Sequence, residues 1–361
     1  MMCGVENILK KEQLTKEDLV FLLSLKGEEQ QKLFDYARKI REEQTGKYVY
    51  FRGLLEYSNL CSKDCLYCGI RKSNTAVIRY IVEDEEVMTA ARLILSAGYG
   101  SMVLQSGERS DRKFTEHISY LLRSIKSLSD NKIGITLSCG EQSEEVYKEW
   151  FVAGAHRYLL RIESSNPTLY KQLHPQNQLH DYHQRVKCLQ NLKQIGYQVG
   201  TGVMIGVPGQ TLSDLADDLL FFKEQDIDMI GMGPYSEHHQ TPLYARKDEL
   251  LSQNERFYLT LNMIAVLRIF IKDVNIAAAT AMQALHPQGR ELAVKVGANV
   301  IMPNLTPTKY RENYQLYDNK PCVSDTSEQC MGCLQRRLAS VGTVIGYNEW
   351  GDAQHFFNKK T

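Results

Sequence analysis

The chain has 361 residues, enough for one large barrel or two ordinary domains around a sizeable core. Basic and acidic residues balance at 43 each, so the formal net charge is zero and the basic excess of a typical nucleic-acid binder is absent. The opening Met1-Met2-Cys3-Gly4-Val5-Glu6 lacks the charged start and apolar run of a signal peptide. No apolar run approaches the roughly 20 residues that span a bilayer; the stretch from Met263 to Ile271 is broken by Arg268. A soluble cytoplasmic protein with neither nucleic-acid nor membrane partner is expected.

Residues 6–46 read as helical, with a capping box from Thr15 to Asp18. Past Gly46 the run from Tyr48 to Leu55 is aromatic and β-branched, as a strand should be. Strand-like runs at 48–56, 101–105, 132–138, 157–162, 197–205, 228–232, 275–280 and 298–302 then alternate with helix-period segments. Those segments lie at 83–97, 113–129, 141–153, 166–173, 182–195, 211–225, 250–271 and 287–296. Gly98, Gly154, Gly196 and Gly297 fall just past helices, where C-cap glycines belong. Repeated βα units imply a parallel sheet with crossover helices. Eight of them fit an α/β fold of the (β/α)8 TIM type; an open doubly wound sheet is the alternative. The organisation expected is a helical segment at 1–47, a barrel at 48–303 and a C-terminal extension at 304–361 that closes the barrel.

The nine cysteines are an odd number and are clustered, which points to metal ligation instead of a disulfide framework. Cys61-Ser-Lys-Asp-Cys65-Leu-Tyr-Cys68 directly follows the first strand. Three thiolates so spaced can hold three irons of a [4Fe–4S] cluster, leaving the fourth iron open to a chelating small molecule. A zinc site usually takes four ligands in paired spacing, and no second pair lies near in sequence. Cys322, Cys330 and Cys333 form a second set in the extension, which reads as a surface iron–sulfur cluster, a zinc knot completed by a histidine, or idle thiols. Cys139 and Cys188 read as lone packed thiols, and Cys3 falls in the flexible start.

The first motif and its place after a strand resemble the radical S-adenosylmethionine (SAM) superfamily. That resemblance implies a [4Fe–4S] cluster on Cys61, Cys65 and Cys68, with SAM chelating the open iron. Further matches fall at strand ends, where barrel active sites lie. Ser106-Gly107-Glu108 looks like the Gly-Gly-Glu motif that holds the SAM ammonium. Glu163 looks like the acid near the ribose or sulfonium, Arg185 is placed to pair with the SAM carboxylate, and Tyr67 is expected near the adenine. Gly202-Val-Met-Ile-Gly206-Val-Pro208 resembles the glycine-rich segment beside the adenosine. Taken singly, Glu163 is equally an ordinary salt-bridge partner, Arg185 a solvated helix charge and the glycine segment a turn.

Longer stretches narrow the resemblance. Cys65-Leu-Tyr-Cys68-Gly69-Ile-Arg71, Val103-Leu-Gln105-Ser-Gly-Glu108, Gly231-Met-Gly-Pro234 and Tyr310-Arg-Glu-Asn-Tyr314-Gln-Leu-Tyr317 resemble the HydE family of [FeFe]-hydrogenase maturases. Biotin synthase and methylornithine synthase belong to the same wider group. The resemblance implies an organometallic substrate, an iron complex of cysteine, carbon monoxide and cyanide. It implies attack on that complex by an adenosyl radical, a reductant protein, transient contact with companion maturases, and a monomer. Gln105, Thr136, Arg161, Thr280 and Met302 are expected at strand ends around the substrate cavity, with Tyr314 and Tyr317 closing it. Met302 and the tyrosines are otherwise packing residues, and the threonines otherwise satisfy backbone groups. The second cysteine set resembles an accessory cluster of some HydE proteins, [2Fe–2S] or [4Fe–4S]. Two departures bear on the cavity: Ala277-Ala278-Ala279-Thr280 keeps one threonine where family members can have two, and Cys139 stands where an apolar residue is expected. Another radical SAM activity of the wider group and a non-catalytic iron–sulfur carrier are the competing readings; an intact SAM pocket argues against the carrier.

Overall fold

The computed structural model describes residues 4–359, so Cys3 lies outside the described residues. The helical start is three helices: α1 (Val5–Leu9), α2 (Lys16–Ser24) and α3 (Gly27–Thr45). Thr15 forms the expected capping box: its hydroxyl accepts from Asp18 N–H at 3.3 Å, and the Asp18 carboxylate accepts from Thr15 N–H at 3.0 Å. A cap that strong begins a helix, which is why the expected continuous run is interrupted ahead of it.

Eight parallel strands follow: β1 (Tyr48–Ser58), β2 (Ser101–Ser106), β3 (Gly134–Ser138), β4 (Ala155–Leu159), β5 (Gln198–Thr201), β6 (Met229–Ile230), β7 (Asn275–Ile276) and β8 (Val300–Ile301). Their order is β8-β1-β2-β3-β4-β5-β6-β7. A parallel bridge between Ala277 and Val300 joins the two ends, with Asn299 N–H donating to Ile276 O at 3.0 Å. The sheet is therefore a closed barrel and not an open doubly wound sheet. Between the strands run α4 (Asp84–Ser96), α5 (Arg112–Leu128), α6 (Glu144–Val152), α7 (Pro167–Leu173), α8 (Tyr182–Ile195), α9 (Leu212–Glu224) and α10 (Gln253–Phe270). The four predicted cap glycines all take positive φ. Helix α10 packs beneath α2 and α3, so nearly all its faces are buried, and Asn262 on it donates to Leu23 O and Leu25 O at 2.9 and 3.0 Å.

Strands β5 to β8 are all shorter than predicted, and β6 and β8 keep only two residues each of the expected runs 228–232 and 298–302. The run 197–205 breaks at Gly202, where a Cβ would stand 1.9 Å from Gly231 O; Met204–Ile205 then pairs with Gly233–Pro234 in a separate ladder. The run 275–280 ends at Ile276, and α11 (Thr280–Leu285) begins where the strand was expected to finish. Helix α12 (Gly289–Val296) leads to β8.

After β8 the chain passes over the C-terminal ends of the strands through α13 (Thr308–Arg311) and continues into α14 (Ser327–Ala339). It then reaches the opposite end of the barrel. Val344 and Ile345 pair with the start of β1. Gly351 O accepts from Arg52 and Asn275 at 2.8 Å each, Trp350 O accepts from Ser101 at 2.7 Å, and Asp352 is ion-paired with Arg157. Among the described residues no helix is long and apolar enough to cross a membrane.

Candidate active site

The loop after β1 carries the first cysteine set. Backbone contacts from three directions fix its shape. Ser62 N–H and hydroxyl both donate to Glu108 O (2.8 and 2.9 Å), Leu66 N–H donates to Leu173 O (3.0 Å), and Gly69 N–H donates to Leu316 O (3.0 Å). Arg79 braces the loop from behind through Asn59 O, Ile70 O and Arg71 O at 2.7–2.8 Å. The three thiols are free and keep some contact with solvent. Enough protein surrounds them that burial pushes Cys65 up to about 12 and raises Cys61 and Cys68. The charge of Cys61 further disfavours the thiolate of Cys65, and both disfavour that of Cys68. Desolvated thiolates so close together call for a cationic centre, which deprotonates coordinating thiols outright. Among the described residues, only His238, His239 and Asp318 bring three such ligand atoms within 4.8 Å of one another. The three cysteine sulfurs are spread more widely than that, which suits the three irons of a polynuclear cluster.

Ser106 ends β2, Gly107 and Glu108 follow it, and the three lie against this loop. Gly107 N–H donates to Ser58 O at 2.7 Å, and a Cβ on Gly107 would meet Leu60 O at 2.3 Å, so the crossing needs glycine. Ser106 turns its hydroxyl back on Gly107 O (2.8 Å), while Glu108 N–H points at Cys61 Sγ (3.4 Å). The Glu108 carboxylate sits 3.0 Å from Lys63 Nζ and 3.5 Å from Arg185. Burial raises Glu108, and Arg185 and Lys63 hold that rise in check. Arg185 is a buried group on α8, not a solvated helix charge. Burial opposes its charge, but Glu108 and Glu141 more than offset this and raise it well above the ordinary value.

Glu163 follows β4 with a positive φ of 65° and accepts both arms of Arg161, Nε at 2.8 Å and Nη2 at 2.7 Å. The salt-bridge reading of Glu163 is therefore realised, whatever else the carboxylate does. Arg161 also donates to Gly231 O, so its fork is largely committed within the protein. Tyr67 directs its hydroxyl at His174 Nε2 (3.4 Å), whose Nδ1 bonds Tyr170 O (2.9 Å). Burial holds His174 down at about 3, so the ring stays neutral.

A cavity of about 260 Å³ opens among these groups. Its wall includes Tyr67, Cys68 and Glu163 of the predicted SAM site, and Gln105, Thr136, Arg161, Met302 and Tyr317 of the predicted substrate set. Thr280 also lines it, but from the first turn of α11 and not from a strand end. Tyr314 is not on the wall; it is buried behind Gln105, whose amide donates to its hydroxyl at 3.2 Å. The Thr136 hydroxyl accepts from Arg157 Nε at 2.9 Å, a side-chain guanidinium and not a backbone group. Ser106, Gly107, Glu108 and Arg185 lie off this wall, around the cysteine loop. Cys139 and Cys188 are both fully buried.

The second cysteine set is only partly at the surface, with Cys322 and Cys333 half-buried. Cys330 is buried, and Cys322 and Cys330 form part of the same cavity wall. Arg311 clamps this segment by donating to Cys322 O (2.9 Å), Asn304 O (3.1 Å) and Thr306 O (2.6 Å). Cys322 is pulled down to about 6 by its hydrogen bond with Cys330 and by Arg290, while Cys330 is pushed up correspondingly.

Sequence reasoning missed four groups here. Glu56 and Lys320 form a buried ion pair in the cavity wall, and Lys63 and Glu141 flank Glu108 and Arg185. An acid inside the apolar run of β1 was the available signal for Glu56; Glu141 stands just past a strand end.

The radical SAM superfamily model matches residues 55–222, from within β1 to α9. The [FeFe] hydrogenase maturase subunit HydE of Thermotoga maritima is 42% identical over 350 residues, which cover 97% of each chain. This chain belongs to the HydE family of radical SAM proteins. The HydE-type fold is shared more widely. Methylornithine synthase superposes with a TM-score of 0.80 over 96% of this chain and 98% of its own at 24% identity. The maturase HydG of Carboxydothermus hydrogenoformans gives 0.79 over 95% and 78% at 20% identity. Membership in the radical SAM superfamily brings a [4Fe–4S] cluster and SAM as cofactors. The three desolvated thiols and the acid–base groups around them fit that pair of cofactors.

Proposed function

We propose that this chain is a HydE-type maturase that cleaves SAM reductively and acts on an iron complex in assembly of the [FeFe]-hydrogenase active site. Cys61, Cys65 and Cys68 hold the [4Fe–4S] cluster. When bound, the cluster supplies the electron that splits SAM into methionine and a 5′-deoxyadenosyl radical. Around it, Glu108 and the Ser106-Gly107 backbone take the SAM ammonium, Arg185 its carboxylate, Glu163 the ribose or sulfonium region, and Tyr67 the adenine. The barrel at 48–303 carries this chemistry and the extension at 304–361 closes it. The observation that carries the reading is that Cys68, Tyr67 and Glu163 share one cavity wall with Gln105, Thr136 and Arg161. A radical formed at the cysteine loop is therefore released into the space that holds the substrate.

The wall also suits an anionic iron–cyanide complex. It carries Arg52, Arg161, Arg290 and Lys320 against Glu56 and Glu163. Both acids are already paired, with Lys320 and Arg161, and among the described residues Arg52 and Arg290 have no carboxylate within ion-pair reach. Arg161, though committed to Glu163, adds to this positive field, and Gln105, held from behind by Tyr314, shapes the space with Thr280, Met302 and Tyr317. Cys322, Cys330 and Cys333 hold a second, [2Fe–2S] or [4Fe–4S], cluster; the hydrogen-bonded Cys322–Cys330 pair beside Arg290 supports this. The protein works in the cytoplasm as a monomer, takes electrons from a reductant protein and meets companion maturases transiently.

The test is anaerobic reconstitution, reduction and assay of 5′-deoxyadenosine with wild type and Cys65→Ala. Product from wild type and none from the variant is expected. No product from a fully loaded wild type would favour the carrier reading, and equal product from both would place the catalytic cluster elsewhere.

A further inference from the structure

Four buried charges stand in a ring beside the cysteine loop, and two of them have no role in the SAM contacts above. Lys63 lies inside the cysteine motif, and Glu141 follows β3. Lys63 Nζ is 3.0 Å from Glu108 and 3.0 Å from Glu141; Arg185 is 3.5 Å from Glu108 and 2.9 Å from Glu141. The signs alternate around the ring, and the four side chains are only 5–12% exposed. Two positive and two negative charges cancel. At such burial a surplus of either sign is costly, so each member depends on its two oppositely charged neighbours, and Lys63 also donates to Leu179 O.

We propose that Glu141 is a positioning residue for SAM, holding the Arg185 guanidinium ready for the SAM carboxylate while Lys63 links it to Glu108. The inference rests on the SAM roles given to Glu108 and Arg185. A guanidinium beside a single carboxylate tends to close on it as a two-pronged pair. With Glu108 alone to face, Arg185 would do so, and the two groups needed at the amino-acid end of SAM would be spent on each other. Glu141 meets Arg185 at Nε and Glu108 meets it at Nη1, and at 2.9 Å against 3.5 Å Glu141 is the closer partner. The charge count points the same way. SAM carries a sulfonium, an ammonium and a carboxylate, a net charge of plus one. A neutral ring accepts it more readily than the positive ring left by Glu141→Gln.

The experiment uses the full chain, reconstituted anaerobically and reduced, as wild type, Glu141→Gln, Glu141→Asp and Arg185→Ala. SAM is titrated in, and its binding is followed by the change in the electron paramagnetic resonance spectrum of the reduced cluster. Arg185→Ala and Glu141→Gln are both expected to weaken SAM binding by roughly 10- to 100-fold, the range usual for a residue that orients a ligand-binding group. Glu141→Asp, which restores the charge, is expected to recover most of the loss. Weak binding by Arg185→Ala with normal binding by Glu141→Gln would overturn the inference and leave the SAM site standing. Normal binding by Arg185→Ala would overturn the SAM role of Arg185 and the inference with it. Failure of both Glu141 variants to take up the cluster would make the residue a structural one and also overturn the inference.

Discussion

Gly107 marks how tightly the cysteine loop is pressed against the end of β2. With Leu60 O only 2.3 Å from where its Cβ would be, the backbone and not a flexible side chain would have to move. Gly107→Ala is expected to cost about 1–3 kcal/mol, as overpacking usually does, and to lower iron uptake, because Leu60 immediately precedes Cys61. Denaturant unfolding together with iron analysis checks this; a fully loaded variant with an unchanged midpoint would contradict it. At this scale, what was legible in the sequence depended on locality. Cys61, Cys65 and Cys68 declare themselves by spacing within one loop. Lys63 sits inside that motif and Glu141 three residues past β3, yet neither could be read, because their meaning comes from being brought within 3.0 Å of each other across three strands. Arg161 was legible as a cavity residue, but not its commitment to Glu163, which depends on the positive φ at Glu163.

Among elements, the segment 344–353 was the least legible. It has no helical or strand period of length, and its carbonyls Trp350 O and Gly351 O accept one by one from the side chains of Arg52, Ser101 and Asn275 on three different strands. The alternation of strands and helices was legible because the helices carry an apolar stripe and the strands, buried on both faces, read as short continuous apolar runs. The lengths of β5 and β7 were not, because Gly202 and the start of α11 cut them short through contacts with neighbours. The same segment brings a pH dependence. Burial presses His156 down to about 4, aided by the adjacent Arg157 charge. Burial alone would raise Asp352, but its hydrogen bond with His156 and the Arg157 charge hold it well below the usual carboxylate range. A histidine held below its unfolded value of about 6.5 takes up a proton more readily once unfolded, so its contribution to stability is present above that value and lost as pH falls through about 4. The loss is on the order of 3 kcal/mol in full. Asp352 adds to it at still lower pH. Comparing unfolding free energies of wild type and His156→Gln between pH 7 and pH 4 should show the gap between them changing across that window. Parallel pH profiles would mean that His156 is not held neutral by the fold.

For the whole molecule, the ring of eight parallel strands places one cavity against both cysteine sets, with Cys68, Cys322 and Cys330 on its wall. The extension first meets the cysteine loop, where Gly69 N–H donates to Leu316 O, and then pairs with the start of β1 at the opposite end of the barrel. The fold class and the first cysteine set could be read from spacing and alternation. That the second set faces the cavity could not, because it requires the path of the extension, fixed by the buried Arg311. HydE membership rests on identity along nearly the entire chain, and the net positive cavity is what connects that membership to an anionic iron substrate.

The most direct measurement is hydrogenase maturation in a defined cell-free system in which this chain replaces HydE among the companion maturases, with hydrogen evolution as the readout. Active hydrogenase formed with the wild-type chain and not with Cys65→Ala is the predicted result. Release of 5′-deoxyadenosine without active hydrogenase would contradict the maturase assignment and leave a radical SAM enzyme with a different substrate.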